Sequence, residues 1–394
     1  MRVLVAPDCF GGTLSAPAAA RAIADGWARG APDDSIELCP LADGGPGFLD
    51  TVQAALGGIL HVVPVGSPVG ASVLGRVLLV ERPDRAPTAY LEAADACGLN
   101  LVPADRRDPG RTSTRGVGEL LLAARELGAG TIVVGLGGSG TNDAGAGMLA
   151  GLGLGPAGGP LNRGGSALAG LTAADLAGLG ALRRGLAAVD LVAAADVDVP
   201  LLGRHGASAG FAPQKGAKPD QAQELERSLG HFAALAERVL GDEFTRANLL
   251  AGSDHGSHQR AAVLPGAGAA GGLGFGLALL GARLVPGAAF VADAVGLADR
   301  LARNDLVVTG EGTFDWQSLH GKAVAEVARL AGRAGVPAVV LAGQSTVGRR
   351  EWSAGGISGV YPVAERPAEV RAALADPVGT LAARAARVAR TWSR

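Results

Sequence analysis

Five loops in this sequence carry a carboxylate, four of them together with glycine, and each directly follows or contains the end of an apolar segment. They are APDCFGG (6–12), LADGGPG (41–47), GLGGSGTND (135–143), AADVDVP (194–200) and TGEGTFD (309–315). Any single acid in them would serve as a turn or helix-cap residue. Their recurrence favours a shared site, because so many carboxylates at one sheet edge repel one another unless Mg²⁺ or a basic side chain lies among them.

The stretch Thr131–Met148 contains the third of these loops and holds six glycines. It opens with a β-branched run typical of a buried strand, and a packed core gains nothing from the glycines that follow. A loop whose backbone approaches a polar or metal-bound ligand does gain from them. A flexible surface loop is the alternative interpretation.

Two lysines in glycine-flanked positions supply candidate positive charge. Lys215 lies in FAPQKGAKP, and Lys322 follows GEGTFDWQSLHG where a helix is predicted to begin. Free N–H groups and the positive end of the helix dipole make a helix N-terminus suited to phosphate. The alternative interpretation of either lysine is an ordinary solvated side chain without a binding role.

Strands and helices alternate at both ends of the chain, and this pattern must position the loops. Strands are predicted over 2–6 and 35–38 near the start, and over 306–308, 338–341 and 359–363 near the end. A helix with Ser15 as its N-cap is predicted after the first strand, and a helix over 48–56 after the second. Together they predict an α/β fold with one discontinuous, flavodoxin-like, doubly wound parallel sheet. The predicted domains are 1–61 plus 289–394, and an inserted α/β domain of mixed sheet over 62–288.

Composition excludes several classes of function. Lys plus Arg number 35 against 37 for Asp plus Glu, without a basic stripe, so no nucleic-acid partner is expected. Three widely spaced cysteines predict no disulfide framework, and Asp8 interrupts any signal-peptide core. Residues 261–282 carry no charge, but their glycines and Pro265 make a poor membrane helix. We therefore expect a cytoplasmic protein without a membrane partner, with the oligomeric state open between monomer and homodimer.

Two glycine patterns offer a competing interpretation. Both 135–140 and 266–271 match the G-x-G-x-x-G dinucleotide fingerprint, which favours a Rossmann-type oxidoreductase. The first lacks the ribose-binding acid that is expected about 20 residues later. The second lies in an Ala/Gly-rich stretch where such matches arise by chance.

Eight ordered blocks resemble the type 1 glycerate kinase family (glycerate 2-kinase) over nearly the whole chain. They are APDCFGGTLSA, ADGGPG, STRGVGELLLAA, GLGGSGTNDAGAGML, DVDVPLLGRHGASAGFAPQKGA, LPGAGAAGGLG, TGEGTFDWQSLHGKA and PAVVLAG. The resemblance implies ATP-dependent phosphorylation of D-glycerate with Mg²⁺, giving 2-phosphoglycerate rather than 3-phosphoglycerate. It also implies two α/β domains with the active site in the cleft between them.

Three positions depart from the family pattern. Gly11 stands where the family usually has lysine, Pro46 where it has glutamate, and Thr313 where it has arginine. A non-catalytic nucleotide or metabolite sensor is therefore a second alternative to the kinase.

Phosphoryl transfer depends on positioning and charge neutralisation, and this assigns expected roles. Asp196 is expected to orient or deprotonate the glycerate hydroxyl, with Asp8 and Asp43 as alternatives, and Lys215 to neutralise the phosphoryl group. Arg115 or Lys215 is expected to bind the glycerate carboxylate. The expected nucleotide-binding residues are Gly137, Gly138, Ser139, Gly140, Thr141, Asn142, Gly310, Gly312 and Lys322. The expected Mg²⁺ ligands are Asp143, Glu311 and Asp315.

Overall fold

The computed structural model describes residues 1–241 and 260–393, which form two compact units. The terminal unit comprises Met1–Asp43, Gly47–Gly57 and Gly287–Arg394. The inserted unit comprises Gly44–Pro46 and Gly58–Pro286. The domain boundaries and the cleft expected from the sequence stay predictions.

Eleven strands occur within the described residues. They are β1 Arg2–Val5, β2 Ser35–Leu38, β3 Ile59–Gly66, β4 Ser72–Arg82, β5 Arg85–Glu92, β6 Thr131–Gly135, β7 Asp190–Ala195, β8 Arg283–Pro286, β9 Leu306–Phe314, β10 Ala338–Ser345 and β11 Ile357–Pro362.

Helices connect and cover these strands. In the first half of the chain they are α1 Ala16–Gly30, α2 Phe48–Leu56, α3 Ala94–Cys97, α4 Arg115–Glu126, α5 Ala146–Gly151 and α6 Leu179–Gly185. Those that follow are α7 Ala207–Phe211, α8 Pro219–Leu240, α9 Ala269–Leu279, α10 Gly287–Ala294, α11 Leu297–Leu301, α12 Ala323–Ala334, α13 Arg349–Ala354, α14 Pro367–Ala375 and α15 Pro377–Trp392.

The terminal unit contains a parallel five-stranded sheet in the order β2-β1-β9-β10-β11. Numbered within the unit, this order is 2-1-3-4-5, which confirms the predicted flavodoxin-like sheet. The order reverses between β1 and β9, and in such sheets ligands bind beyond the carboxyl ends of the strands at this point. The backbone N–H of Asp8 donates to the carbonyl of Gly310 (2.8 Å), so the two acid-containing segments are neighbours there.

Strand β9 is longer than the predicted strand over 306–308. It continues to Phe314 because β10 pairs beside it as far as Ser345. Glu311 therefore lies within a strand rather than in a loop.

Local sequence sets the ends of α1 in the same unit. The hydroxyl of Ser15 accepts a hydrogen bond from the N–H of Ala18, an N-cap that the sequence predicts. Gly26 permits close approach to α15, since a Cβ there would lie 2.1 Å from the carbonyl oxygen of Ala382.

The inserted unit contains a six-stranded mixed sheet in the order β3 to β8. Strands β3, β4 and β5 pair antiparallel, whereas β5 to β8 pair parallel. The predicted mixed sheet is thereby confirmed. The loops after β6 and β7 leave the same edge of this sheet, because these two strands run in the same direction.

No helix of the described residues has the length and apolar character needed to cross a membrane.

Candidate active site

A cavity of about 260 Å³ lies in the inserted unit and brings four loops together. Gly138 and Ser139 come from the loop after β6, and Asp196 from the loop after β7. The turn Pro213–Lys215 and the start of α9 also contribute to the lining. The structure thus brings together four of the predicted site residues, Gly138, Ser139, Asp196 and Lys215, in one cavity.

Lys215 is the buried cation of this cavity, with only 2% of its surface exposed. Its Nζ donates to the hydroxyl of Ser139 (2.8 Å) and to the carbonyl oxygen of Thr141 (2.7 Å). Burial lowers the pKa of the ammonium to about 8, and the surrounding negative charge opposes this effect. An ammonium has three N–H donors, so one donor is without an acceptor among the residues that the structure describes and can bind a ligand.

The glycine loop uses part of its backbone to hold itself in place. The N–H of Gly137 donates to the carbonyl of Gly44 (3.1 Å), and the N–H of Gly140 donates to the carbonyl of Cys97 (2.7 Å). Gly138 has φ +68°, and a Cβ there would lie 2.7 Å from Cγ of Pro46. The N–H groups at both ends of the expected phosphate cradle are therefore already hydrogen bonded within the chain.

Asp143, the last residue of this loop, is fully buried, and its carboxylate accepts several hydrogen bonds. Its carboxylate accepts from the N–H (2.8 Å) and the hydroxyl of Thr114, and from the N–H groups of Gly145 (3.1 Å) and Gly147 (3.2 Å). Burial raises the pKa of Asp143, while these hydrogen bonds oppose the rise. Both carboxylate oxygens are engaged, so the geometry favours a structural role, and the metal role of Asp143 stays a prediction.

Asn142, the residue before Asp143, is also fully buried. Its Nδ2 donates to the hydroxyl of Ser208 (3.0 Å), and its Oδ1 has no partner within the described residues.

Sequence reasoning missed two N–H groups at the start of α9. Ala270, Gly271 and Gly272 adopt φ of 52°, 68° and 87°, three successive left-handed residues. The N–H groups of Ala270 and Gly271 have no acceptor in the described part of the chain, and both residues line the cavity. Successive amides in such a turn form a concavity suited to anions. The sequence signal for this turn is the glycine pattern at 266–271, which in an Ala/Gly-rich stretch is not distinguishable from a chance match.

The remaining predicted acids form a separate group in the terminal unit. Burial, together with the charges of Asp43 and Glu311, raises the pKa of Asp8 to about 8. Burial likewise raises the pKa of Glu311 to about 7, an effect that the charges of Asp315 and Asp43 reinforce and Lys322 opposes. The Oε1 atom of Glu311 has no hydrogen-bond partner among the described residues.

The other predicted residues of this unit have identifiable structural roles. Lys322 is the N-cap residue of α12. Asp315 accepts from the N–H groups of Gln317 (2.8 Å) and Ser318 (3.2 Å), and so fixes the turn after β9. A Cβ at Gly310 would lie 2.0 Å from the carbonyl oxygen of Leu341, so packing against β10 already requires glycine there.

Gly312 likewise lies against the segment after β1, where a Cβ would be 2.9 Å from the backbone nitrogen of Gly11. Gly11 and Thr313 line the same cavity of about 120 Å³ in the terminal unit. Two of the three departures from the family pattern thus occur at one place in the fold.

The donor set decides how Mg²⁺ would be held. Within residues 1–241 and 260–393, no three acidic, histidine or cysteine side chains are arranged to hold a metal ion. Protein sites for Mg²⁺ commonly need only one or two carboxylates when substrate phosphates and water complete the octahedron. The elevated pKa values of Asp8 and Glu311 and the unpaired Oε1 fit such a partial site.

Arg115, which the sequence offers beside Lys215 as a residue to bind the glycerate carboxylate, does not line the Lys215 cavity. Its Nε donates to Oε1 of Glu119 (2.8 Å), and it lines a different groove.

Comparisons with known proteins show which family this chain resembles over its length. Residues 3–393 match the family described as the Glycerate kinase family. A glycerate kinase of Halalkalibacterium halodurans is 37% identical over 398 residues, which cover 100% of this chain and 99% of that protein. The glycerate 2-kinase of Escherichia coli K12 is 38% identical, with 88% of this chain and 86% of that protein covered. A crystal structure from Salmonella typhimurium LT2, provisionally assigned as glycerate kinase 2, superposes with a TM-score of 0.78 at 36% identity and covers 99% of this chain and 98% of its own.

Proposed function

The chain belongs to the glycerate kinase family of phosphotransferases, and we propose that it transfers the γ-phosphoryl group of ATP to D-glycerate. The family implies ATP as the phosphoryl donor. The 2-hydroxyl is our preferred acceptor over the 3-hydroxyl, in line with the name of the Escherichia coli relative. The observation that carries the proposal is the Lys215 cavity, with its buried ammonium and two N–H groups that have no acceptor in the described ranges.

The cavity has the charge and the size for a small acid and the phosphoryl group that it receives. Lys215 and the N–H groups of Ala270 and Gly271 supply positive potential from different loops. Such donors stabilise charge on the transferring oxygens because they are fixed in place before the reaction. Ser139, which accepts a hydrogen bond from Lys215, holds the ammonium in position.

Asp196 is our candidate to orient the attacking hydroxyl of glycerate. It lies in the lining of the same cavity, directly after β7, and its charge influences the pKa of Lys215. A carboxylate there would accept the hydroxyl proton as the bond to phosphorus forms.

Glu311, with Asp8 and Asp43, is our candidate to hold Mg²⁺. When bound, the ion would neutralise charge on the ATP phosphates. Burial, reinforced by repulsion between neighbouring carboxylates, raises the pKa values of Asp8 and Glu311, and a divalent cation would stabilise their charged forms. Asp315 and Asp143 remain predicted ligands, and Lys322 remains a predicted phosphate contact. We propose a cytoplasmic location, in keeping with the three free cysteines.

An ADP-release assay with Mg-ATP and D-glycerate tests the proposal, and NMR of the product identifies the phosphorylated hydroxyl. Asp196→Asn should keep the fold and ATP binding but lose turnover by about 10²–10⁴-fold, the range for a lost general base. Asp198→Asn is the matched control, because Asp198 is exposed and outside the cavity lining. Equal kcat values in the two variants would remove Asp196 from the proposed role.

A nucleotide or metabolite sensor is the second candidate, favoured by the neutral residues Gly11 and Thr313 that share one cavity. Calorimetric binding of ATP without ADP release, across a panel of hydroxy acids, would support the sensor over the kinase.

A further inference from the structure

A groove of about 990 Å³ lies in the inserted unit, and the Lys215 cavity shares none of its lining residues. One wall is the turn between β3 and β4, and the other is the segment 105–113 that leads into α4. Its volume is at the upper end of the range for small-molecule pockets. A concave surface of this size suits a compact ligand rather than an extended polymer.

The groove has an excess of unpaired positive charge. Its lining includes Arg106, Arg107, Arg111 and Arg115. Of these four arginines, only Arg115 has a hydrogen-bonded carboxylate partner within the described residues, Glu119. The guanidinium groups of the other three are exposed and make no ion pair within that part of the chain.

The acidic groups of the groove do not cancel this charge. Asp108 uses its Oδ1 to accept from the N–H of Gly110 (3.0 Å) and from Nε2 of Gln221 (2.6 Å). Glu119 accepts from Arg115 and also from the N–H of Gly66 (2.7 Å). Asp105 and Asp108 therefore carry two negative charges against the three guanidinium groups that make no ion pair within the described residues, and one net positive charge remains.

Hydrogen bonds already hold the two walls together. The N–H of Ser113 donates to the carbonyl of Pro68 (3.0 Å), which joins the arginine-bearing segment to the β3–β4 turn. Glu119 joins α4 to the end of β3 through the bond to Gly66. The groove therefore exists before a ligand arrives, so little ordering is needed on binding.

We propose that this groove binds a small molecule that carries phosphate, through Arg106, Arg107 and Arg111. Planar guanidinium groups bind phosphate through paired N–H donors, and the positive end of the α4 dipole adds to the same potential. The site is additional to the Lys215 cavity. It lies close to the turn that carries Lys215, since a Cβ at Gly216 would be 2.6 Å from the carbonyl oxygen of Arg107.

Protection from arginine modification tests this proposal at the level of single residues. The full chain is treated with phenylglyoxal with and without inorganic triphosphate, and modified peptides are quantified by mass spectrometry. We expect triphosphate to slow modification of Arg106, Arg107 and Arg111 at least five-fold. Arg21 and Arg29, exposed on α1, should react at the same rate in both samples. Equal rates at the groove arginines with and without triphosphate would overturn the proposal.

Matched double variants separate local contacts from net charge. Arg107→Gln with Arg111→Gln should weaken calorimetric binding of triphosphate at one site at least ten-fold. Arg21→Gln with Arg29→Gln removes the same charge and should leave that binding unchanged. Similar losses in both variants would show that overall charge, not the groove, attracts the anion.

Two further ligands distinguish possible sources of the phosphate. If the wild-type protein binds ATP more tightly than triphosphate, and the Arg107→Gln, Arg111→Gln variant binds the two equally, the ligand is a nucleotide. The same pattern with 2-phosphoglycerate would identify a phosphorylated acid. All of these measurements read binding rather than turnover, so their outcome is independent of whether the proposed kinase activity is observed.

Discussion

Replacing Lys215 by methionine should separate stability from activity in one variant. Methionine retains an unbranched side chain of similar length but removes the charge and the N–H donors. Because Lys215 is nearly fully buried, the variant tests whether its ammonium is retained for function rather than for folding.

The expected magnitudes follow from the surroundings of Lys215. Burial lowers the pKa of the ammonium from 10.5 to about 8. At about 1.4 kcal/mol per pKa unit, the fold disfavours the charged form by about 3 kcal/mol. The variant leaves the oxygens of Ser139 and Thr141 without this donor, which costs about 1 kcal/mol each. We therefore expect the free energy of unfolding at pH 7 to rise by about 1 kcal/mol, while kcat falls by about 10²–10³-fold.

Urea unfolding and ADP release, each followed against pH, measure the two effects. The folded pKa of Lys215 is lowered, so its contribution to stability is fully present above about pH 10.5 and is lost as pH falls through about 8. The stability advantage of Lys215→Met should therefore shrink as pH rises from about 8 to about 10.5. A loss of more than about 2 kcal/mol together with unchanged kcat would show that Lys215 is structural and refute the reasoning.

Three more predictions concern the acids and the tight turn of α9. Without Mg²⁺, thermal stability should fall as pH rises from about 4 through about 8, because the folded pKa values of Asp8 and Glu311 are raised. Mg²⁺ should restore stability more at pH 8 than at pH 5 on a thermal-shift scan, and Glu311→Gln should abolish that difference. Asp143→Asn should lower the free energy of unfolding by about 2–3 kcal/mol in urea, because the new side-chain NH₂ would point at N–H and O–H donors. Unchanged stability with lost turnover would favour the metal role of Asp143 instead. Gly271→Ala should cost about 2 kcal/mol or more, because φ is +68° and a Cβ would lie 1.9 Å from the carbonyl oxygen of Thr141. Gly170→Ala, which meets nothing within 4 Å, is its control in the same urea titration.

The sequence alone was sufficient for features that depend on neighbouring residues. β-Branched runs and turn signals located β2 at Ser35–Leu38 and α2 at Phe48–Leu56 with the observed bounds. The hydroxyl of Ser15 caps α1 as predicted because capping requires only a partner three residues away. The regular return of strands at both ends of the chain was likewise enough to predict a discontinuous parallel sheet.

Only the tertiary structure decided what each chemically capable residue contacts. Asp143 and Lys215 both lie near glycine in the sequence. The carboxylate of Asp143 accepts five hydrogen bonds from its own chain, whereas Lys215 is buried against a cavity and has one N–H without an acceptor among the described residues. The pKa values of Asp8 and Glu311 depend on β1 and β9 being neighbours, although some 300 residues separate these acids in the chain. Burial and charge coupling are properties of residues that are distant in sequence and close in space, and no local pattern specifies them.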